Sequence, residues 1–126
     1  MSYYMAATLA TSFDEAIART EAALKREGFG VLTRVDVQQT LKDKIDVDFR
    51  PYTILGACNP KLAHEALQLE DKVGTMLPCN VVVQQKGPGR VEVAAINPVA
   101  SMQAIDNPQL KMAAETVREK LSRVID

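Results

Sequence analysis

One segment, 79–96, restricts the fold more than any other. Cys79 to Gln85 is rich in β-branched residues, Lys86-Gly87-Pro88-Gly89-Arg90 reads as a turn, and Val91 to Ile96 is a second apolar run. The connection is too short for the crossover that parallel neighbours require, so the two runs form an antiparallel hairpin. Its loop reads as slightly longer than the tight two-residue types. An all-parallel sheet is thereby excluded.

Amphipathic helices lie at both ends of the chain. Ser12 opens the first: its hydroxyl can accept the backbone N–H three residues on, and Glu15 can reach back to complete a capping box. Phe13, Ile17, Thr20 and Leu24 recur at helical spacing, and Gly28 is a suitable stop because glycine tolerates left-handed geometry. The last helix starts near Asp106 or Asn107 with Pro108 at its first position; Leu110, Ala114, Val117, Leu121 and Val124 mark its inner face. Another begins at Asn59 and Pro60, since proline lacks only an N–H that the first turn leaves unbonded. Leu62, Ala66 and Leu69 form its inner stripe.

The remaining stretches read as strands and loops. Tyr3 to Leu9 is a short aromatic-led strand, and Phe29 to Gln39 alternates, with Val31, Val35 and Val37 on one face. Thr40 to Val47 reads as a short helix that breaks at Asp48-Phe49-Arg50-Pro51, and Tyr52 to Ala57 is a further strand. Asp71 to Pro78 reads as a loop with Gly74 as its flexible point, and Asn97-Pro98 ends the hairpin. Each amphipathic helix must hide one face. A mostly antiparallel sheet of about five strands with helices laid on one face achieves this in two layers. The expected fold class is α+β, a two-layer sandwich, and its 126 residues form a single domain spanning 1–126.

Charge narrows the partners. With 15 basic and 16 acidic residues the formal charge is -1. No overall field draws the chain to nucleic acid or to an acidic membrane, and neither is expected as a partner. No apolar stretch approaches the roughly 20 residues of a spanning helix. Met1-Ser2-Tyr3-Tyr4-Met5 carries no basic segment of a secretory signal. A cytoplasmic location is therefore expected, and the chain's 2 cysteines are too few for a secreted disulfide framework.

Those thiols are the candidate site. Cys58 ends an apolar strand in Gly56-Ala57-Cys58-Asn59-Pro60 and immediately precedes a helix N-cap, a setting whose free N–H groups and dipole favour a thiolate. Cys79 opens a strand in Leu77-Pro78-Cys79-Asn80 and shares parity with Val81 and Val83. The flanking Asn59 and Asn80 carry amides able to bond a ligand, although Asn59 already serves as a cap. The alternative is that both cysteines are small packed hydrophobes, free cysteine being among the most buried residue types. Topology decides whether they meet. An antiparallel arrangement of strands 52–57 and 79–85 puts both at one end of the sheet, whereas a simple parallel crossover separates them.

As metal ligands, Cys58 and Cys79 suit a thiophilic ion. His64, the single histidine, lies opposite the stripe of its helix and faces solvent. The spacing Cys58, His64, Cys79 does not match a zinc pattern, and a fourth ligand is missing. Met76 offers a thioether three residues before Cys79, or simply fills a gap. Asp46 and Asp48 near Arg50 read as a solvated turn, and Gly87-Pro88-Gly89 has no following helix to bind phosphate. Dinucleotide, P-loop and nucleophile-elbow motifs are absent.

The run from Tyr52 to Pro60, continuing through Ala63 and Ala66, then Gly74 and Leu77-Pro78-Cys79-Asn80-Val81-Val82-Val83, resembles an uncharacterised bacterial and archaeal family, domain of unknown function 302. The resemblance covers essentially the whole chain, including the early helix and Asn97-Pro98; Asp46 departs from it, standing where the family is glycine-like. It implies a small α+β domain, carries no established activity, and matches the family motif at Cys58, Asn59, Cys79 and Asn80.

Three functions compete. In the first, the chain is a binding module in which Cys58, Asn59, Cys79 and Asn80 line a small pocket for a metal or a redox-active small ligand. In the second, it is a structural, self-associating domain with core cysteines and a homodimer interface. Val81-Val82-Val83 is apolar on both faces, which asks for a helix on one side and a partner on the other. A thiol enzyme ranks last, because it needs a general base and His64 is badly placed for one.

Overall fold

The computed structural model describes residues 2–125. Its elements are β1 (Tyr4–Leu9), α1 (Phe13–Arg26), β2 (Gly30–Asp36), α2 (Val37–Ile45), β3 (Tyr52–Cys58), α3 (Pro60–Leu69), a 3-10 helix (Asp71–Met76), β4 (Cys79–Gly87), β5 (Arg90–Ile96), α4 (Pro98–Ser101) and α5 (Pro108–Ile125). The strands form one 5-stranded sheet in the order β1-β5-β4-β3-β2. Every neighbouring pair is antiparallel, and the fold is α+β as the sequence implies.

Side chains alternate across a strand, so register sorts residues by face. Met5, Ala95, Val81 and Leu55 follow one another across four strands on one face, as do Ala7, Val93, Val83 and Thr53. Ala16, Ile17 and Leu24 of α1 and Leu121 and Val124 of α5 close over these rows. Burying a Val or Leu contributes roughly 1.5–3 kcal/mol, so this covered face drives collapse. Ala6, Ala94, Val82, Ile54 and Val35 make a row across all five strands on the opposite face, where they remain exposed or half-buried.

Local backbone events explain where the chain departs from its expected pattern. Val31 pairs with Ala57 but Thr33 pairs with Gly56, so β2 takes in an extra residue at Leu32. Such a bulge sends the side chains beyond it to the other face. Val31 packs on the core whereas Val35 is 43% exposed, which corrects the expectation of one shared valine face. β2 also stops before Val37, because the Asp36 carboxylate accepts the Gln39 N–H and starts α2 there. The hairpin turn is tighter than expected. β4 runs to Gly87 and β5 resumes at Arg90, leaving Pro88 to set one φ and Gly89 to supply a positive one of 62°. Asp71–Met76 is a 3-10 helix rather than a loop, anchored by the fully buried Val73.

Helix starts follow the sequence closely. The Ser12 hydroxyl accepts the Glu15 N–H, but the Glu15 carboxylate pairs with Arg19 instead of reaching back. Asn59, Asn97 and Asn107 each precede a proline and each cap a helix, accepting from Leu62, from Val99, and from Gln109 and Leu110. Each also donates its side-chain amide to a distant carbonyl: Glu27 at 3.5 Å, Ser2 at 3.0 Å and Leu69 at 3.4 Å respectively. Asn97-Pro98, expected only to end the hairpin, therefore also opens α4. A second small core of Ala66, Val73, Met102, Leu110 and Ala114 forms where α3, the 3-10 helix, α4 and α5 meet. Among the described residues, no helix is long and apolar enough to cross a membrane.

Candidate functional site

β3 and β4 pair with Ala57 opposite Cys79, which brings Cys58 and Cys79 to the same end of the sheet. Both are free thiols; Cys79 is 7% exposed and Cys58 is half-buried. Strand parity alone would send Cys58 to the face opposite Cys79. Cys58 is the last residue of β3, however, where the chain turns into α3, and both cysteines line one cavity of about 40 Å³. A single water needs about 10–15 Å³, so the space holds a few atoms. Leu62, Ala66, Leu77, Leu110 and Val117 contribute apolar wall from α3, the approach to β4, and α5.

The electrostatics of this wall favour neutral groups. Burial, and secondarily the neighbouring Cys58, push the Cys79 thiol from 9.0 up to about 11. At neutral pH it keeps its proton, which leaves it a poor nucleophile. Asn59 lines the cavity, but both of its polar atoms are engaged, in the α3 cap and in the bond to Glu27. Gly56 permits the close approach of neighbouring segments near the strand end. A Cβ there would overlap Thr33 Oγ1 and stand 2.9 Å from Pro78 Cγ.

The other expected residues lie elsewhere. Asn80 is exposed on the open face, opposite Gly56, beside a shallow hollow with Tyr52 and Val82. His64 is exposed on α3, with Nε2 3.3 Å from the Gln68 amide nitrogen. Met76 is 37% exposed and is not part of the cavity wall. Asp46 and Asp48 both pair with Lys42 in solvent, and Asp46 adopts a left-handed φ of 54°, the geometry of a glycine-like position. Among the described residues, no group of three or more His, Cys, Asp or Glu is arranged to hold a metal ion. Met102, which the sequence did not single out, is buried just past α4 and lines the cavity. The signal for it was the Asn-Pro pair at 97–98, which repeats the helix start of 59–60.

Comparison with known proteins agrees with this architecture. A family described as domain of unknown function DUF302 matches residues 5–126. None of the curated proteins matches the chain. Among solved structures, the uncharacterized conserved protein DUF302 from Bacillus stearothermophilus is 33% identical, with a TM-score of 0.93 over 100% of this chain and 98% of that one. The chain thus belongs to the family of domain of unknown function DUF302.

Proposed function

We propose that this chain is a binding module whose ligand seats at the end of the sheet, against Cys58 and Cys79. One observation carries the reading: the chain's two thiols reach the wall of a single cavity, where a strand end and two helices leave space instead of closing. An apolar wall with a protonated thiol favours a thiophilic ion or a small uncharged group, because an unpaired charge is costly to bury there. Asn59 contributes shape, since its hydrogen bonds are already committed. N-ethylmaleimide labelling of the native chain tests the reading. Cys58 reacts in the folded protein, and Cys79 reacts only as fast as the protein unfolds. A Cys58 as slow as Cys79 would mean a sealed wall and would remove the site.

The open face of the sheet supports a second role, self-association as a homodimer. Its apolar row of Ala6, Ala94, Val82, Ile54 and Val35 runs beside a chain of hydrogen bonds from Arg50 to Gln84 to Glu92, with Lys86 nearby on the same face. A strip bordered by both signs of charge is complementary to itself under a two-fold rotation, which favours a second copy over a partner of one charge. Sedimentation velocity should give a concentration-dependent dimer that Val82→Lys returns to monomer. A wild-type monomer at all concentrations ends this reading.

A further inference from the structure

The cavity wall holds three soft donors, not two. Met102 is 6% exposed and lines the cavity together with Cys58 and Cys79. Among the described residues, Asn59 is the only other lining residue with a side-chain heteroatom, and both its polar atoms are taken. No carboxylate or imidazole among the described residues belongs to the wall. Ca²⁺ and Mg²⁺ demand oxygen ligands, and Zn²⁺ draws on Cys, His, Asp and Glu, of which the described wall offers only the two cysteines. Thiolates with a thioether instead select a soft monovalent ion content with two or three sulfurs.

We propose that the cavity binds one Cu(I) ion, with Cys58 and Cys79 as thiolate ligands and Met102 as a third, thioether ligand. This rests on the reading of the cavity as the ligand site. On binding, two S–H bonds exchange for two Cu–S bonds, and both protons leave to solvent. No electron is transferred, and the bis-thiolate centre carries a net charge of minus one, whose burial cost in this apolar wall the Cu–S bonds must outweigh. α3 begins two residues after Cys58, so the positive end of its dipole lies beside that charge. The apolar wall keeps water and competing oxygen ligands from the ion.

The test is an anaerobic Cu(I) titration of the full chain against a chromophoric chelator, with X-ray absorption to identify the scattering atoms. One Cu(I) per chain is expected, surrounded by sulfur alone, with binding lost in Cys58→Ser and Cys79→Ser. Prior blocking of Cys58 by N-ethylmaleimide on the folded wild type substitutes for a serine variant that fails to fold. Met102→Leu preserves volume, so it should melt near the wild type while weakening Cu(I) by about tenfold or more. Binding that survives loss of either thiol, or that is unchanged in Met102→Leu, overturns the ligand set. If the chain takes up no Cu(I) while Cys58 still reacts with N-ethylmaleimide, the metal assignment falls and the cavity remains a ligand site. If Cys58 is also unreactive, both fall.

Discussion

Replacing Gly56 by alanine tests how the end of β3 is built. The new Cβ overlaps Thr33 Oγ1 and stands 2.9 Å from Pro78 Cγ, well inside the roughly 3.5–4.0 Å at which two carbons attract. Thr33 is exposed on the edge strand β2 and can rotate its hydroxyl away, whereas the Pro78 ring has no such freedom. Overpacking of this kind costs about 1–3 kcal/mol. Gly56 does not need a positive φ, so alanine's smaller unfolded-state entropy offsets about 0.4–1 kcal/mol of that. Central values of the two ranges leave a net loss of about 1.3 kcal/mol. With a melting entropy of about 2.1 cal/mol/K per residue, this lowers the melting temperature by roughly 5 °C. Thermal unfolding followed by circular dichroism on wild type, Gly56→Ala, Thr33→Ala and the double variant measures both clashes. Residues in contact are not additive, so Thr33→Ala should recover part of the loss and leave the share due to Pro78. An unchanged or raised melting temperature in Gly56→Ala refutes the close approach, and complete recovery in the double variant refutes the proline contact.

Three further perturbations probe the cavity wall, a strained turn and a tether. Between pH 9 and 11 the unfolded chain ionises Cys79 while the folded chain retains its proton. Stability present in full below about 9 is therefore lost toward pH 11, by up to about 3 kcal/mol, and urea titrations of Cys79→Ala should lack that part of the decline. Asp46→Gly relieves a left-handed φ of 54° and gives up only exposed pairing with Lys42; denaturant unfolding should register a gain of up to about 1 kcal/mol. Asn97→Asp keeps the capping oxygen of α4 but removes the amide that donates to the Ser2 carbonyl. Because Asn97 is buried, the same assay should show a loss of about 1–3 kcal/mol.

The antiparallel frame was readable because a short Gly-Pro-Gly connection leaves the chain no other path between Val83 and Val93. That frame also brought Cys58 and Cys79 to one end of the sheet, and the period of α3 correctly turned His64 outward. The bulge at Leu32 had no residue to announce it, since any side chain can occupy the extra position, and its effect on Val35 followed from register alone. The cavity was hidden for a different reason. It arises where helices distant in sequence meet, so proximity along the chain favoured Met76, three residues from Cys79, over Met102. Asn80 looked equivalent to Asn59 by its neighbour, yet strand alternation turned it to the opposite face from Cys79.

The paired asparagine and proline residues also govern how this fold ages. An asparagine usually begins to convert to aspartate when the backbone nitrogen of the following residue attacks its side-chain carbonyl. After Asn59, Asn97 and Asn107 that nitrogen is locked in a proline ring and has no hydrogen to give up. The cyclic intermediate cannot form, so the three amides that tie distant segments together are shielded from slow hydrolysis. Asn80, alone on the open face among the chain's asparagines, has an ordinary successor in Val81, and chemical damage of this kind is directed there, where it breaks no tie.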